Sequence, residues 1–284
     1  MLKNLKSLLE YAEKNKSAVG SFNFTSLETI VSVIKVAEEL DYPVILSHAP
    51  VHDMFYSIDI IAPVAKMLAE KSSAMICLHL DHGTDVSYIK KAIDMGFTSV
   101  MYDGSSLPFD ENVKNTIEVV SYAHPRNVSV EAELGRIMSN GLEGSHEAPG
   151  TKSDYYTDPN EALDFVTKTN VDCLAISFGT VHGEYITEPK LNVELIKEVR
   201  KITNGLPIVM HGGSGVSDAD YGRVIDAGVR KINYYTYMQI AGFKEVKKYM
   251  DLNEIKYYHD VVQKGRMGIY QDVKRAVKLF SRKY

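Results

Sequence analysis

AMICLHLDHGTDVSYIKKAIDMGFTSVMYDG, residues 74–104, reads as one strand–helix–strand unit. Its first eight residues (74–81) are a short apolar run, and His82-Gly83 follows at once. Residues 85–95 then carry apolar positions at helical spacing. Gly96 suits a left-handed helix cap, and SVMYD (99–103) is the next apolar run. The pattern echoes far down the chain, where VIDAGVRKINY (224–234) resembles AIDMGFTSVMY (92–102).

Outward from this unit, six further runs of the same kind occur: 18–24, 43–49, 129–135, 173–179, 207–211 and 231–236. Segments of helical period separate them, such as SLETIVSVIKVAEEL (26–40). Strands that alternate with helices predict a parallel sheet, and eight such units in about 235 residues fit a closed (β/α)8 TIM barrel in the α/β class. An open doubly wound sheet would want a glycine-rich phosphate loop after the first strand, but that strand ends SFNFTS. Residues 2–14 form an extra leading helix, and the chain after 237 is a helical tail. No linker or low-complexity stretch divides the sequence, so residues 1–284 are expected to be a single domain.

The polar residues test the barrel. Asn23, His48, Asp81, His82, Asp103, Glu133, His182, His211 and Asn233 all fall near the carboxyl ends of predicted strands. A barrel gathers those ends on one face, where its active sites lie. Polar groups on apolar strands cost free energy unless they are paired or ligated. Three histidines without a thiolate suit a zinc ion with one open position. Neighbours on a strand point to opposite faces, so Asp81 and His82 both reach the site only if the strand ends there. His211-Gly212-Gly213-Ser214-Gly215 precedes a helix expected near Ser217, a setting that favours phosphate. Residues 136–158 make a long polar loop of the kind that often forms a lid, and its Glu143 and Glu147 could enter the site.

Bulk properties exclude other classes. The chain of 284 residues is 45% hydrophobic with a net charge of −5 and no basic block, which argues against nucleic acid. The amphipathic start lacks a signal-peptide core, and no apolar run is long enough for a membrane span. Cys77 and Cys173 sit inside apolar runs as core residues, which reads as a reduced, cytoplasmic protein.

HLDH (79–82), MYDGSSLPFDEN (101–112), VEAELG (130–135), YTDP (156–159), GTVHG (179–183), HGGSG (211–215) and KINYYT (231–236) occur in that order. Together they resemble the class II, metal-dependent ketose-bisphosphate aldolases, most of all the shorter fructose- and tagatose-bisphosphate enzymes. The resemblance spans about residues 5 to 250. It implies zinc held by His82, His182 and His211, with Asp103 and Glu133 at positions associated with metal placement and a second cation site. It implies Asp81 as acid/base at the hydroxyl beside the breaking bond, and Glu143 as the loop carboxylate that moves the proton on carbon. Gly183, Gly212, Gly213 and Ser214 match the phosphate-holding residues, with a monovalent cation (Na+ or K+) nearby, while Asn23, Asn233 and Thr236 match substrate-binding positions. The implied partner is a small phosphorylated sugar, and the implied assembly a homodimer or homotetramer.

Some positions depart from the family. Tyr258-His259-Asp260 replaces a tripeptide whose arginine grips the distal phosphate, Ala49 replaces a serine, and Tyr235 stands before Thr236. A ketose 1-phosphate with a non-phosphate distal end is therefore an alternative substrate, with His48, His52, Lys264 or Arg266 as possible contacts. A barrel zinc hydrolase and a non-catalytic binding protein are further alternatives. Lys231 stands at the start of a predicted strand and no lysine lies near a strand end, which favours a metal over a Schiff base as electron sink.

Overall fold

The computed structural model describes residues 1–135, 137–139, 156–185 and 188–283. In chain order the strands are β1 (Val19–Asn23), β2 (Val44–His48), β3 (Ile76–Gly83), β4 (Ser99–Tyr102), β5 (Ser129–Leu134) and β6 (Met138–Ser139). They continue with β7 (Cys173–Ile176), β8 (Val181–His182), β9 (Ile208–Met210) and β10 (Val229–Asn233). Eight of them close into a parallel barrel in the order β1-β2-β3-β4-β5-β7-β9-β10, with β10 paired back to β1. Each of the eight expected apolar runs supplies one barrel strand. The short pair β6 and β8 was not foreseen; it forms a separate two-stranded parallel sheet beside the barrel.

Local chemistry sets the helices between the strands. Asp85 caps Val86–Asp94 by accepting the Ser87 N–H at 2.7 Å, which leaves Asp81 free of any capping task. Ser26 caps Leu27–Leu40, and Ser217 caps Asp218–Ala227. The leading helix, Leu5–Lys14, closes the amino-terminal end of the barrel. Its Leu5, Leu8, Leu9 and Ala12 are buried against Val19, Ile45, Cys77, Cys173, Ala175 and Val209, which point into the lumen from five strands. Both cysteines are free and buried in this plug. At the other terminus, the helices Thr236–Leu252 and Tyr258–Ser281 pack together, and Phe280 lies buried against Tyr221 and Tyr234 on the barrel's flank. No helix among the described residues is long and apolar enough to cross a membrane.

Candidate active site

Above the plug the lumen turns polar in two layers. Side chains two residues apart on a strand share a face. His79, Glu131 and Lys231 form the lower layer, all fully buried, and Asp81, Glu133 and Asn233 stand two residues further along the same strands. Lys231 Nζ lies 2.8 Å from one Glu131 carboxylate oxygen and 3.0 Å from the other. Glu131 also accepts from His211 Nε2 at 2.9 Å. Burial opposes the charge of Lys231, but Glu131 and Asp81 outweigh it and raise its pKa. Lys231 therefore projects into the site, 3.9 Å from Asp81. Its place on the strand is no reason to dismiss it as a Schiff-base lysine; its charge, held by Glu131, is.

Asp81 and His82 reach the same cavity through a backbone irregularity. His82 has φ 49°, in the left-handed region, and the pairing of β3 with β4 slips between Leu80 and Gly83. Three steps along β3 answer two along β4, which is a β-bulge. The bulge cancels the alternation that would send two neighbours to opposite faces.

His82, His182 and His211 converge, with ligand-capable atoms all within 4.8 Å of one another. Ring centroids are 4.5 Å apart for His82 and His211, 5.0 Å for His82 and His182, and 5.6 Å for His182 and His211. His182 lies on β8, beyond the end of β7, so the small β6/β8 sheet positions the ring that the sequence assigned to a barrel strand end. Hydrogen bonds set the roles of the other two. His82 Nδ1 contacts Asp103 Oδ2 at 2.8 Å, and His211 Nε2 contacts Glu131. If both carboxylates accept, His82 Nε2 and His211 Nδ1 are left as lone pairs, and these two atoms face each other at 2.8 Å. Two lone pairs at that distance repel unless a cation lies beside them. A proton answers the need in part: burial would lower the pKa of His82, but Asp81, Asp103 and Glu133 raise it to about 10. Burial and the neighbouring His82 keep His182 and His211 below the ordinary imidazole range, hence neutral and able to ligate. Three converging imidazoles, two of them backed by carboxylates, are the donor set of a zinc site once an ion replaces the proton on His82, so these residues fit such an ion.

Asp103 stands behind His82, with Ser105 donating to its other oxygen at 2.6 Å. Burial would raise its pKa, but the hydrogen bond and charge of His82, with Ser105, hold it at about 2. Glu133 is fully buried, and its carboxylate joins Asp103 and His82 in a second group of possible metal donors. Asp81 accepts from Asn23 at 3.0 Å and from Asn233 at 3.0 and 3.2 Å. Burial disfavours its charge, yet His82, Lys231, His211 and His79 together hold it well below the usual carboxylate range. The two asparagines matched to substrate thus also hold the carboxylate matched to proton transfer.

The glycine loop lies alongside. Gly212 has φ 61°, and a Cβ there would meet the Val181 carbonyl oxygen at 2.2 Å, so only glycine lets the loop pass β8. Ser214 is buried and accepts the Tyr235 N–H at 3.1 Å, and Gly183 follows His182 on the facing segment. Ser217 already caps the helix after the loop, whose first turn carries Asp218 and Asp220. An anion here would meet loop backbone rather than a free helix end. Thr236 opens the helix that follows β10. Glu143 and Glu147 lie outside the described residues.

Sequence reasoning missed His79 and Glu131 and set Lys231 aside. The signal was present: each sits two residues before a residue that was named, on a strand of period two. Of the suggested distal contacts, His52 lines the cavity over the histidines, whereas Lys264 and Arg266 line a separate groove with Val31 and Tyr270. Tyr258 and His259 are largely exposed.

A family model for class-II fructose-bisphosphate aldolase matches residues 3–283. A curated fructose-bisphosphate aldolase of Staphylococcus aureus is 39% identical over 285 residues, covering 98% of this chain and 97% of its own. Another from Geobacillus stearothermophilus is 41% identical over 250 residues, covering 87% and 85%. Among solved structures, the YdjI aldolase of Escherichia coli K12 superposes with a TM-score of 0.87 at 32% identity over 99% of this chain and 97% of its own.

Proposed function

The chain belongs to the class-II fructose-bisphosphate aldolase family, and from that premise we propose how its residues work as a carbon–carbon lyase on a ketose bisphosphate such as fructose 1,6-bisphosphate. The names of its relatives favour a bisphosphate over the ketose 1-phosphate considered above. Cleavage gives dihydroxyacetone phosphate and an aldehyde, and the reverse reaction is aldol condensation.

His82, His182 and His211 would hold zinc, with Asp103 and Glu131 fixing two of the rings through hydrogen bonds. Bound there, zinc supplies a Lewis acid for the substrate carbonyl. Asp81 is ionised and takes the hydroxyl proton as the carbon–carbon bond breaks, then returns it during condensation. Asn23 and Asn233 aim the carboxylate and still face the substrate. Among the described residues the Asn233 side-chain oxygen has no partner, which leaves it for a sugar hydroxyl. Gly183, Gly212, Gly213 and Ser214 hold the phosphate of the ketone half, Thr236 adds a contact, and Glu143 protonates the carbon left with negative charge. Glu133 supports a second cation position. The family resemblance supports four further parts of the proposal: a monovalent cation beside the phosphate, a dimer or tetramer, a cytoplasmic setting, and residues 1–284 as a single barrel domain.

The observation that carries this reading is the convergence of His82, His182 and His211, with ligand-capable atoms within 4.8 Å of one another, next to an ionised, asparagine-clamped Asp81. Its test is aldol cleavage of fructose 1,6-bisphosphate before and after exhaustive chelation. Activity should vanish with the metal and return with zinc; activity that survives complete metal removal would falsify the mechanism.

A further inference from the structure

His52 sits on the short 3-10 helix Pro50–Met54, just past the carboxyl end of β2, and is 2% exposed. It lines the cavity that also holds Asn23, Ala49, Asp81, Asn233 and Tyr235. Among the described residues, neither of its ring nitrogens has a hydrogen-bond partner. Its neighbour His48 contrasts with it, since His48 Nε2 bonds Asp53 at 2.9 Å, and Tyr88 donates to the other oxygen of the same carboxylate. Among the described residues, packing alone fixes the His52 ring. Tyr235 lies 5.1 Å away by ring centroids, Phe55 6.2 Å and His48 6.4 Å.

A buried imidazole with both nitrogens unpaired is costly, and the cost is relieved when a ligand pairs them. The cavity also fixes which part of a substrate that would be. It touches Asp81, His82 and His182, but Gly212, Gly213 and Ser214 do not line it. The ketone half's phosphate is matched to the glycine loop by the family resemblance, so the residues around this small cavity face the half on the other side of the breaking bond. We propose that His52 is a specificity-determining residue that pairs with the carbon-5 hydroxyl of the ketose, the first polar group beyond the reacting one.

Burial, with the adjacent His48, lowers the pKa of His52 to about 4, so the ring is neutral near pH 7. A neutral imidazole donates at one nitrogen and accepts at the other. A hydroxyl can answer either role, whereas a phosphate or carboxylate oxygen only accepts. The proposal rests on the aldolase reading, and its test separates the two.

The test measures condensation of dihydroxyacetone phosphate with glyceraldehyde 3-phosphate, and with the analogue lacking the 2-hydroxyl, for wild type, His52→Phe and His52→Gln. Exchange of the dihydroxyacetone phosphate C–H with solvent is measured in parallel, because that half-reaction needs no aldehyde. Phenylalanine keeps the ring's shape and packing, and glutamine restores a donor and an acceptor. In His52→Phe, kcat/KM with glyceraldehyde 3-phosphate should fall about tenfold more than exchange does, chiefly through KM. The preference for the hydroxylated aldehyde should shrink to match, and His52→Gln should recover part of both. Equal losses with the two aldehydes, or exchange falling in step with condensation, would overturn the assignment. A zinc-loaded wild type that catalyses neither exchange nor condensation would overturn the aldolase reading itself.

Discussion

His82 holds a left-handed backbone at φ 49°, a conformation that costs a residue with a side chain roughly 1–3 kcal/mol. The β3/β4 bulge imposes it, and the return is that Asp81 and His82 face one cavity from adjacent positions. In the proposed mechanism the two divide the work: one ring for the metal, one carboxylate for the proton. Asp81→Asn keeps the size of the side chain but removes the charge and turns one acceptor of the asparagine N–H groups into a donor. It should lower kcat by about 100- to 10,000-fold while zinc content per subunit, measured by elemental analysis, stays at the wild-type level. Loss of zinc in that variant would make Asp81 a metal holder instead. The three histidines and Asp81, which the structure brings together, were legible in the sequence because histidine and carboxylate are conspicuous beside glycine. The bulge was not, because the string LDHG carries no mark of an extra residue in a ladder; it exists only relative to the spacing of β4.

At the scale of elements, the leading helix Leu5–Lys14 acts as a stopper. Its apolar face was legible from spacing, but its destination was not, because an amphipathic helix can cover the outside of a barrel as well as its end. Leu8 is fully buried within that contact. Leu8→Ala should destabilise the fold by about 2–5 kcal/mol, read as a lower midpoint in denaturant, while KM for the ketose stays the same. A normal midpoint with a raised KM would mean that the helix shapes the site directly. The eight strands were legible because apolar β-branched runs of the right length recur between helical segments. The β6/β8 pair was hidden because two-residue strands have no period to detect, and His182 consequently seemed to end a barrel strand.

Across the whole molecule, polar groups buried in the lumen tie stability to pH. Burial, with the charge of Lys231, lowers the pKa of His79 to about 3, and that of His52 stands at about 4. Both take up protons in the unfolded chain near the ordinary value of about 6.5. Below that value the unfolded state binds more protons than the native one, so stability falls as pH falls, by up to about 1.4 kcal/mol per pH unit for each group. Glu131 and Asp103, each at about 2, add a further loss as pH falls below about 4. Thermal melts of the metal-free protein should therefore show a midpoint that declines steadily from pH 6.5 to pH 4. A flat profile across that range would mean that these histidines are not buried in neutral form. The stopper at the barrel's amino-terminal end has a consequence for traffic as well. With that end shut, the ketose, both fragments and the displaced water share one doorway at the carboxyl ends of the strands. The same packing leaves the lumen below Asp81 no room for solvent to pass, so Asp81 and the three histidines meet the outside from one direction alone.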